Sequence, residues 1–432
     1  MKTHSRRQFL KRLGAAVGAS ALAPYIVPDT VTGAGEVASP SERVTMGIMG
    51  AGPRGRDDMS HFLRQPDVQW LAASDCRADR LQAAKKQVDG HYRNADCAMH
   101  RDFREMIGRS DLDALLIATG NRWHVLGTIY AAKAGKDMYC EKPISLTIAE
   151  GRAMVETTTR LGTIYQAGYQ RHSVDSFRFQ AQCAQEKRIG DLKEIICQVW
   201  TCPVGQPSPA IPVPDGFDYE TWLGPTPWHP FSWARVNGWT LVWDTSGGVI
   251  TDMGCHWTDL AQWGNQSEDT GPVQIEVEQV AWPPPGALTE IPVSARVALT
   301  YKNGVRCIMQ STGSFGERFI RFVGTKGWIQ VDDETNNVTC EPRSLLKVRS
   351  ISAKGWGDPG DHVRNFLDGV KTRRRCVCHP EAAHRAMTVC QLANVALRTG
   401  RNLQWDPAKE QFVGDEEANR FISRAMRPPW HV

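Results

Sequence analysis

The stretch VTMGIMGAGPRG, residues 44–55, decides the fold of this chain. An apolar run leads into Gly50, Gly52 and Gly55, and a polar segment compatible with a helix follows them. This is the pattern G-x-G-x-x-G in a strand–turn–helix context. Gly50 permits the tight turn, Gly52 lets a pyrophosphate approach the backbone, and Gly55 lets the helix pack close to its strand. The stretch therefore predicts the first β–α unit of a dinucleotide-binding domain.

The neighbouring residues predict how the dinucleotide is held. Pro53 and Arg54 open the helix, where free N–H groups and the helix dipole favour an anion, so we expect both at the cofactor. A second predicted strand, VQWLAASD, ends at Asp75, twenty residues beyond Gly55. An acidic residue there accepts hydrogen bonds from the adenosine ribose, which favours NAD over NADP. Arg77 lies two residues further on and softens that preference, so NADP stays open; a glycine turn beside a surface aspartate is the alternative.

Strand and helix patterns then alternate along the first half of the chain. The apolar runs LDALLIAT (112–119) and DMYCEKP (137–143) read as strands, and helix-compatible segments precede and follow each of them. This alternation predicts an α/β Rossmann domain with a doubly wound parallel sheet. Ligands of such sheets bind at the carboxyl ends of the strands. The side chains at the two strand ends are Thr119, Asn121, Glu141 and Lys142.

The second half of the chain predicts a different sheet. The segment TIYQAGYQRHS (163–173) reads as the crossover strand, and four later runs alternate apolar and polar residues. They predict a C-terminal α+β domain with a mostly antiparallel, open-faced sheet and two helices near the end of the chain. The expected organisation is a signal and linker over residues 1–40, the nucleotide-binding domain over 41–165 and the substrate domain over 166–432.

The stretch GGVITDMGCHWTDLAQW, beginning at Gly247, carries the clearest chemistry. Asp252 and His256 are four residues apart, so on one helix they share a face about 6 Å apart. A carboxylate there orients an imidazole, fixes its tautomer and raises its basicity. A base placed this way removes the proton of a hydroxyl group during hydride transfer and contributes roughly 10²–10⁴-fold. The alternatives are a helix cap with a core histidine, or a metal site that includes Asp259.

These motifs together resemble the glucose–fructose oxidoreductase and inositol dehydrogenase family (Gfo/Idh/MocA), whose signature is Glu-Lys-Pro at the end of the fifth strand. The resemblance implies that Lys142 reaches the nicotinamide ribose and the reacting hydroxyl, and that it steadies the developing alkoxide. It implies that His256 is the general acid/base and Asp252 its partner. The family usually has Thr-Pro-Asn followed by a histidine; here Gly120 replaces the proline, and His124 keeps its place.

The resemblance also implies the remaining contacts and partners. It places a second group at the cofactor: Thr119, Asn121, His124 and Glu141. It places a third group beside the substrate, although each could instead be an ordinary buried or surface polar residue: Tyr169, Gln170, Arg171 and His172. The implied activity is hydride transfer at a carbinol carbon of a sugar, polyol or sugar derivative, with bound NAD or NADP. A homodimer or homotetramer through the open sheet face is expected.

The N-terminal stretch SRRQFLKR, residues 5–12, predicts export. Paired arginines before a weakly apolar run are typical of the twin-arginine route, and the run from Leu13 to Val27 is short of the roughly 20 apolar residues of a membrane span. We therefore expect the twin-arginine machinery as a partner, a periplasmic or otherwise exported protein, and no permanent membrane anchor. Cleavage is expected after Ala23 or, alternatively, after Ala34.

Composition excludes several other classes. The formal net charge is +4, and no basic stripe indicates nucleic-acid binding. The twelve cysteines show no zinc or haem spacing, so no metal is expected. Structural disulfides are disfavoured because a twin-arginine substrate folds in a reducing compartment. Five tryptophans between residues 222 and 243 lie in a Pro- and Gly-rich segment, which predicts a long ordered loop where packing is favoured over sugar stacking.

Export and a nicotinamide cofactor make opposing demands. No free cofactor pool exists outside the cytoplasm, so the cofactor is expected to be tightly bound and to return to its starting redox state in each cycle. Paired oxidation and reduction of two substrates meets this demand. Redox-neutral glycoside cleavage, by oxidation, elimination, hydration and reduction, meets it equally well. A non-catalytic sugar-binding protein that holds NAD is the remaining alternative.

Overall fold

The computed structural model describes residues 38–314, 317–348 and 359–432. The predicted twin-arginine segment and both predicted cleavage sites lie outside these residues. A short 3-10 turn spans Pro40–Glu42, and residues 44–432 form one compact unit. Within the described ranges, no helix has both the length and the apolarity needed to cross a membrane.

The first half of the compact unit builds one six-stranded sheet. Every strand pair in it is parallel, and the strand order is β3-β2-β1-β4-β5-β6. The expected doubly wound parallel sheet is therefore confirmed. The neighbouring interior strands β4 and β5 are buried at every position, as strands covered on both faces must be. The strands are β1 Val44–Met49, β2 Val68–Ser74, β3 Ala98–His100, β4 Ala114–Ile117, β5 Asp137–Cys140 and β6 Tyr165–Ala167.

Helices alternate with these strands and begin where the local sequence favours it. The helix after β1 starts at Pro53, a residue whose fixed φ suits the first helical turn. The fifth helix starts with a capping box between Thr147 and Glu150 and ends at Gly162, whose φ is +66°. The helices of this half are α1 Pro53–Leu63, α2 Ala78–Tyr92, α3 Phe103–Ile107, α4 His124–Lys133 and α5 Ile148–Leu161.

The second half builds a nine-stranded sheet in the order β13-β12-β11-β7-β10-β9-β8-β14-β15. Only the central pair β7–β10 is parallel, so the expected mostly antiparallel sheet is confirmed. Its strands are β7 Leu192–Trp200, β8 Pro272–Ala281, β9 Ser294–Tyr301, β10 Arg306–Gly313, β11 Phe319–Gly324, β12 Gly327–Asp332, β13 Val338–Glu341, β14 Leu403–Asp406 and β15 Gln411–Phe412.

The remaining helices belong to the second half of the chain. Their bounds are α6 Asp175–Gln185, α7 Tyr219–Leu223, α8 Trp233–Asn237, α9 Gly248–Asp252, α10 Gly254–Gly264, α11 Pro359–Thr372, α12 Pro380–Thr399 and α13 Glu416–Arg420. Helix α11 returns to the first sheet, where Phe366 packs edge-on against Phe62 and Tyr139 at 6.0 Å. All twelve cysteines are free thiols, and all but Cys76 are buried.

A pair of glycine substitutions tests the packing of α10, the helix that carries His256. A Cβ at Gly264 would lie 2.2 Å from Cε2 of the buried Phe322, so Gly264→Ala should destabilise the protein by about 1–3 kcal/mol. A Cβ at Gly90, within α2, would meet nothing within 4 Å, so Gly90→Ala should stabilise by up to about 1 kcal/mol. Urea unfolding of the two full-length variants measures both changes. Equal effects in the two variants would contradict this packing.

Candidate active site

In the glycine-rich turn between β1 and α1, the backbone leaves no room for a side chain at Gly50 and Gly55, but it does leave room at Gly52. Gly50 has φ +93°, and a Cβ at Gly55 would lie 2.3 Å from the carbonyl oxygen of Gly50. A Cβ at Gly52 would instead meet only the guanidinium of Arg80, with Nη1 at 3.5 Å. Gly50 and Gly55 therefore shape the turn, whereas Gly52 leaves room above it for a ligand.

A cavity of about 380 Å³ lies over this turn, at the carboxyl ends of β1, β2 and β4. The structure brings six of the predicted cofactor residues to its wall: Gly50, Gly52, Pro53, Arg54, Asp75 and Thr119. Three arginines at the same wall were not predicted to contact the cofactor: Arg80, Arg101 and Arg122. Two of the five tryptophans between residues 222 and 243 also line it: Trp222 and Trp239. The three arginines suit a cavity that receives phosphates.

Asp75 holds the turn as well as lining the cavity. Its Oδ2 accepts a hydrogen bond from the backbone N–H of Ala51 at 2.7 Å, and its Oδ1 accepts one from the N–H of Arg77 at 2.8 Å. Each carboxylate oxygen keeps a further lone pair, so both can still accept from a ribose hydroxyl. Burial raises the pKa of Asp75 above its ordinary value. The guanidinium of Arg77 is paired with Asp79 at 2.6 Å and does not line the cavity, whereas Arg80, three residues further on, does.

His124 and Asn121 connect neighbouring loops and are not among the residues that line the cavity. The ring nitrogens of His124 lie 2.7 Å from the carbonyl oxygen of Pro143 and 3.1 Å from that of Thr119, so the imidazole links the loops after β4 and β5. Burial lowers the pKa of His124. The Asn121 amide donates to the hydroxyl of Ser246 at 3.4 Å. Both side chains therefore position the loops around the cavity.

Glu141 is the centre of a buried network beneath Lys142. Its carboxylate accepts from Gln170 at 2.6 Å, from Arg54 at 3.2 Å and from the backbone N–H of Lys142 at 3.2 Å. Arg54 also pairs with the buried Asp58 at 2.6 Å, a residue that sequence reasoning missed. Burial alone would raise the pKa of Glu141, but the charges of Arg54 and Lys142 hold that pKa below its ordinary value. Burial and the charge of Glu141 raise the pKa of Asp58 well above its ordinary value.

Lys142 and Asp252 form a direct pair. The lysine Nζ donates to the Asp252 carboxylate at 3.1 Å and to the Asp252 carbonyl oxygen at 3.0 Å. Burial alone would lower the pKa of Lys142, but the neighbouring Asp252 and Glu141 carboxylates hold that pKa above its ordinary value. The ammonium group therefore stays charged, as an alkoxide stabiliser must.

The expected Asp252–His256 contact is corrected by the structure. Helix α9 ends at Asp252 and a new helix starts at Gly254, so the four-residue spacing does not lie on one continuous helix. The Nε2 of His256 lies 3.1 Å from Nη1 of Arg171, and its Nδ1 is buried without a partner among the described residues. Burial and the charge of Arg171 lower the pKa of His256 well below its ordinary value, which keeps the imidazole neutral.

The residues predicted beside the substrate divide into two groups. Arg171 contacts His256, and the buried Tyr169 ring lies edge-on to that imidazole at 6.0 Å. Gln170 bonds Glu141, and His172 bonds Asp259 at 3.0 Å while stacking on a tryptophan. Asp259, the third member of the metal alternative, is thus paired with His172. The donor atoms of these two residues and Cys378 lie within 4.8 Å of one another, but they supply three ligands where a closed zinc site has four.

A segment over residues 216–239, here called the roof, covers the outer side of the cavity. It contains α7 and α8 and has its own aromatic core, which includes Phe217, Tyr219 and Phe231. Arg122 fastens it from below: its Nε donates to the Trp222 carbonyl at 2.7 Å, and its guanidinium stacks on the Trp222 ring at 4.1 Å. The roof therefore faces the glycine-rich turn across the cavity.

The C-terminal residues fasten the other side of the roof. The Trp123 indole, at the cavity wall, donates to the carbonyl of Thr221 at 2.9 Å. Trp430 packs edge-on against Trp123 at 4.7 Å. The Arg427 guanidinium donates to the carbonyl oxygen of Gly224 at 3.1 Å. The backbone N–H of Arg427 donates to the carbonyl oxygen of Pro225 at 2.9 Å. The C-terminal residues around Arg427 and Trp430 thus support the cavity wall.

A doubly wound sheet with this glycine-rich turn and cavity defines a dinucleotide-binding protein. The model "Oxidoreductase family, NAD-binding Rossmann fold" matches residues 44–169, and "Oxidoreductase family, C-terminal alpha/beta domain" matches residues 199–432. The chain belongs to the Gfo/Idh/MocA oxidoreductase family, as the sequence resemblance predicted.

Individual relatives are distant. The chain is 25% identical to myo-inositol 2-dehydrogenase of Thermotoga maritima over 296 residues, which cover 67% of this chain and 75% of that protein. It is 28% identical to a glycosyl hydrolase family 109 protein of Shewanella over 169 residues, which cover 36% of this chain and 37% of that protein. The crystal structure of the WlbA dehydrogenase from Chromobacterium violaceum in complex with NADH and UDP-GlcNAcA has a TM-score of 0.67 at 16% identity, covering 84% of this chain and 96% of that one. This last likeness shows the fold.

Gly52→Ala tests whether the cavity receives the cofactor. Gly52 has φ −64° and ψ 178°, which alanine adopts without strain, so the variant should keep the stability of the parent protein. Its methyl group would occupy the ligand's space, and we expect nicotinamide cofactor affinity to fall about tenfold or more, as measured by calorimetric titration. Gly90→Ala serves as the control and should bind normally. Undiminished affinity in Gly52→Ala would place the cofactor elsewhere.

Proposed function

We propose that the chain is an NAD(P)-dependent oxidoreductase that transfers hydride at a carbinol carbon of a sugar, polyol or sugar derivative. The observation that carries this proposal is a charged Lys142 close to a neutral, buried His256 at the carboxyl edge of the parallel sheet. One group stabilises negative charge on oxygen, and the other accepts a proton. Alcohol oxidation requires both functions at one site.

The residues divide the reaction between them. When bound, the cofactor supplies the hydride-accepting chemistry through its nicotinamide, and the cavity residues around Gly52, Arg54 and Asp75 would hold its pyrophosphate and adenosine ribose. Lys142 stabilises the oxygen of the reacting hydroxyl as its negative charge develops, and Asp252 keeps that ammonium in place. His256 accepts the hydroxyl proton at Nε2, the nitrogen that carries its lone pair. In the reverse direction the same atom returns the proton.

The cofactor is proposed to be tightly bound. The roof and the C-terminal tail support this, since a dinucleotide in the cavity would lie between the glycine-rich turn and Trp222, with Trp123 held by Trp430 at one side. Release then requires several of these contacts to break. Tight retention fits our proposal that the twin-arginine segment exports the folded protein to the periplasm, where it cannot draw on a free cofactor pool. Assembly into a homodimer or homotetramer is proposed as well.

Redox-neutral glycoside cleavage is a second candidate function. Its specific support is the similarity to glycosyl hydrolase family 109 proteins over part of the chain. The first step would be the same oxidation by Lys142 and His256. We favour simple oxidoreduction because the residues of the site account for the hydride step alone. A non-catalytic sugar-binding role is disfavoured by the intact set of Lys142, Asp252 and His256.

The proposal is tested on purified protein. Heat or acid should release about one equivalent of NAD(P) per chain, and the 340 nm absorbance should change when sugars and polyols, myo-inositol among them, are added. Lys142→Met should lower the rate at least about a hundredfold, since the positive charge at the alkoxide is lost. Lys133→Met, on the exposed side of α4, is the matched control and should keep the parent rate. Cofactor that stays unchanged with every compound would contradict the proposal.

Trp430→Ala tests cofactor retention. Loss of the ring removes the packing on Trp123 at the cavity wall, so the dissociation rate of NADH should rise about tenfold. Stopped-flow fluorescence with excess competing NAD measures this rate. Trp228→Ala is the control, because Trp228 belongs to the same roof but is 58% exposed. Equal dissociation rates in the two variants would show that the tail does not retain the cofactor.

A further inference from the structure

Asp333 is a buried carboxylate that the proposed reaction does not yet explain. It follows β12 directly and is 0% exposed. Its Oδ1 accepts from Nε of Arg171 at 2.8 Å, and its Oδ2 accepts from Nη2 of the same side chain at 3.0 Å. This is the bidentate geometry in which a guanidinium is held most firmly. Arg318 approaches Oδ2 at 3.2 Å from the other side.

The remaining nitrogen of the Arg171 guanidinium reaches the candidate base. Nη1 lies 3.1 Å from Nε2 of His256. A guanidinium can only donate hydrogen bonds, so Nε2 must present its lone pair and the imidazole proton must lie on Nδ1. The contact therefore selects one of the two neutral tautomers. It also disfavours the doubly protonated ring, whose Nε2–H would point at a donor.

The other groups around His256 act in the same direction. Cationic or basic groups reach its surroundings from three further elements: Lys142 after β5, Arg54 on α1 and His362 on α11. The two acidic side chains nearest to it along the chain are engaged elsewhere: Asp252 with Lys142 and Asp259 with His172. Tyr169 meets the imidazole only with its uncharged ring, edge-on at 6.0 Å. Arg171 is thus the group that contacts the imidazole directly, and Asp333 is the group that holds Arg171 there.

We propose that Asp333 is a positioning residue which, through Arg171, keeps His256 neutral and its Nε2 lone pair available. A substrate hydroxyl then needs only to replace the Arg171 contact to find an unprotonated, oriented acceptor. This rests on the proposed function for the role of His256 as base, whereas the tautomer follows from the contacts themselves. It gives the second sheet an indirect part in the chemistry, because Asp333 directly follows β12 and contacts Arg171, 162 residues away along the chain.

The test is an NMR titration of protein labelled with [15N]histidine, with the His256 signals assigned by their loss in His256→Gln. In the parent protein, Nε2 should be unprotonated and Nδ1 protonated across the neutral range. Arg171→Met removes a cation and a donor, so imidazolium is less disfavoured and the protonation midpoint should rise by about one pH unit or more. Asp333→Asn should populate both tautomers, because the neutral amide holds Arg171 less firmly.

Two comparisons keep the test sharp. Glu334→Gln makes the same chemical change one residue further on, at an exposed site, and should leave the His256 signals as they are. The double variant Asp333→Asn/Arg171→Met should titrate as Arg171→Met alone, because Asp333 is proposed to act only through Arg171. If Arg171→Met misfolds, Arg171→Lys is the second variant. It keeps the positive charge but lacks the forked guanidinium, so His256 should again populate both neutral tautomers.

An unchanged tautomer and midpoint in Arg171→Met would overturn the proposal, as would additive effects in the double variant. These outcomes differ from a failure of the proposed function. Failure of that function would appear as an inert cofactor in the 340 nm assay while the His256 tautomer remained as described.

Discussion

The buried carboxylate of Glu141 is the interaction on which the site depends. An unpaired carboxylate in the interior costs several kcal/mol, so its three donors are effectively obligatory. Those donors come from different elements: Arg54 on the first helix, Gln170 on the crossover segment and the backbone of Lys142 itself. Satisfying one charge therefore fixes the glycine-rich turn, Lys142 and the entry to the second domain relative to one another.

From this centre the site separates its charges into two pairs with opposite consequences. Lys142 lies against Asp252 and stays positive, while His256 lies against Arg171 and stays neutral. Had Asp252 paired with His256 instead, the carboxylate would have favoured imidazolium and left the lysine without its nearest anion. The observed arrangement suits the proposed reaction, which needs a positive group beside an alkoxide and a neutral proton acceptor. The cofactor cavity, closed by the roof, lies at the same edge of the parallel sheet.

Local signals predicted the fold well. The glycine pattern around Gly50 and the apolar runs identified the parallel sheet because each depends on neighbouring residues alone. Spacing failed at Asp252 and His256, since a four-residue interval assumes a continuous helix and the chain starts a new one at Gly254. Asp333 and Trp430 were missed for another reason: their partners lie far away along the chain, and a single sequence carries no trace of such contacts.

The central claim, that hydride moves directly between a carbinol carbon and the nicotinamide at this site, is tested most directly by isotope transfer. The protein would be incubated with a carbon-deuterated form of whichever sugar or polyol reduces its cofactor, and the released nucleotide analysed by mass spectrometry. One deuterium per reduced nicotinamide is expected in the parent protein, and almost no reduced cofactor in Lys142→Met. Reduced cofactor without deuterium, or equal labelling in both proteins, would contradict it.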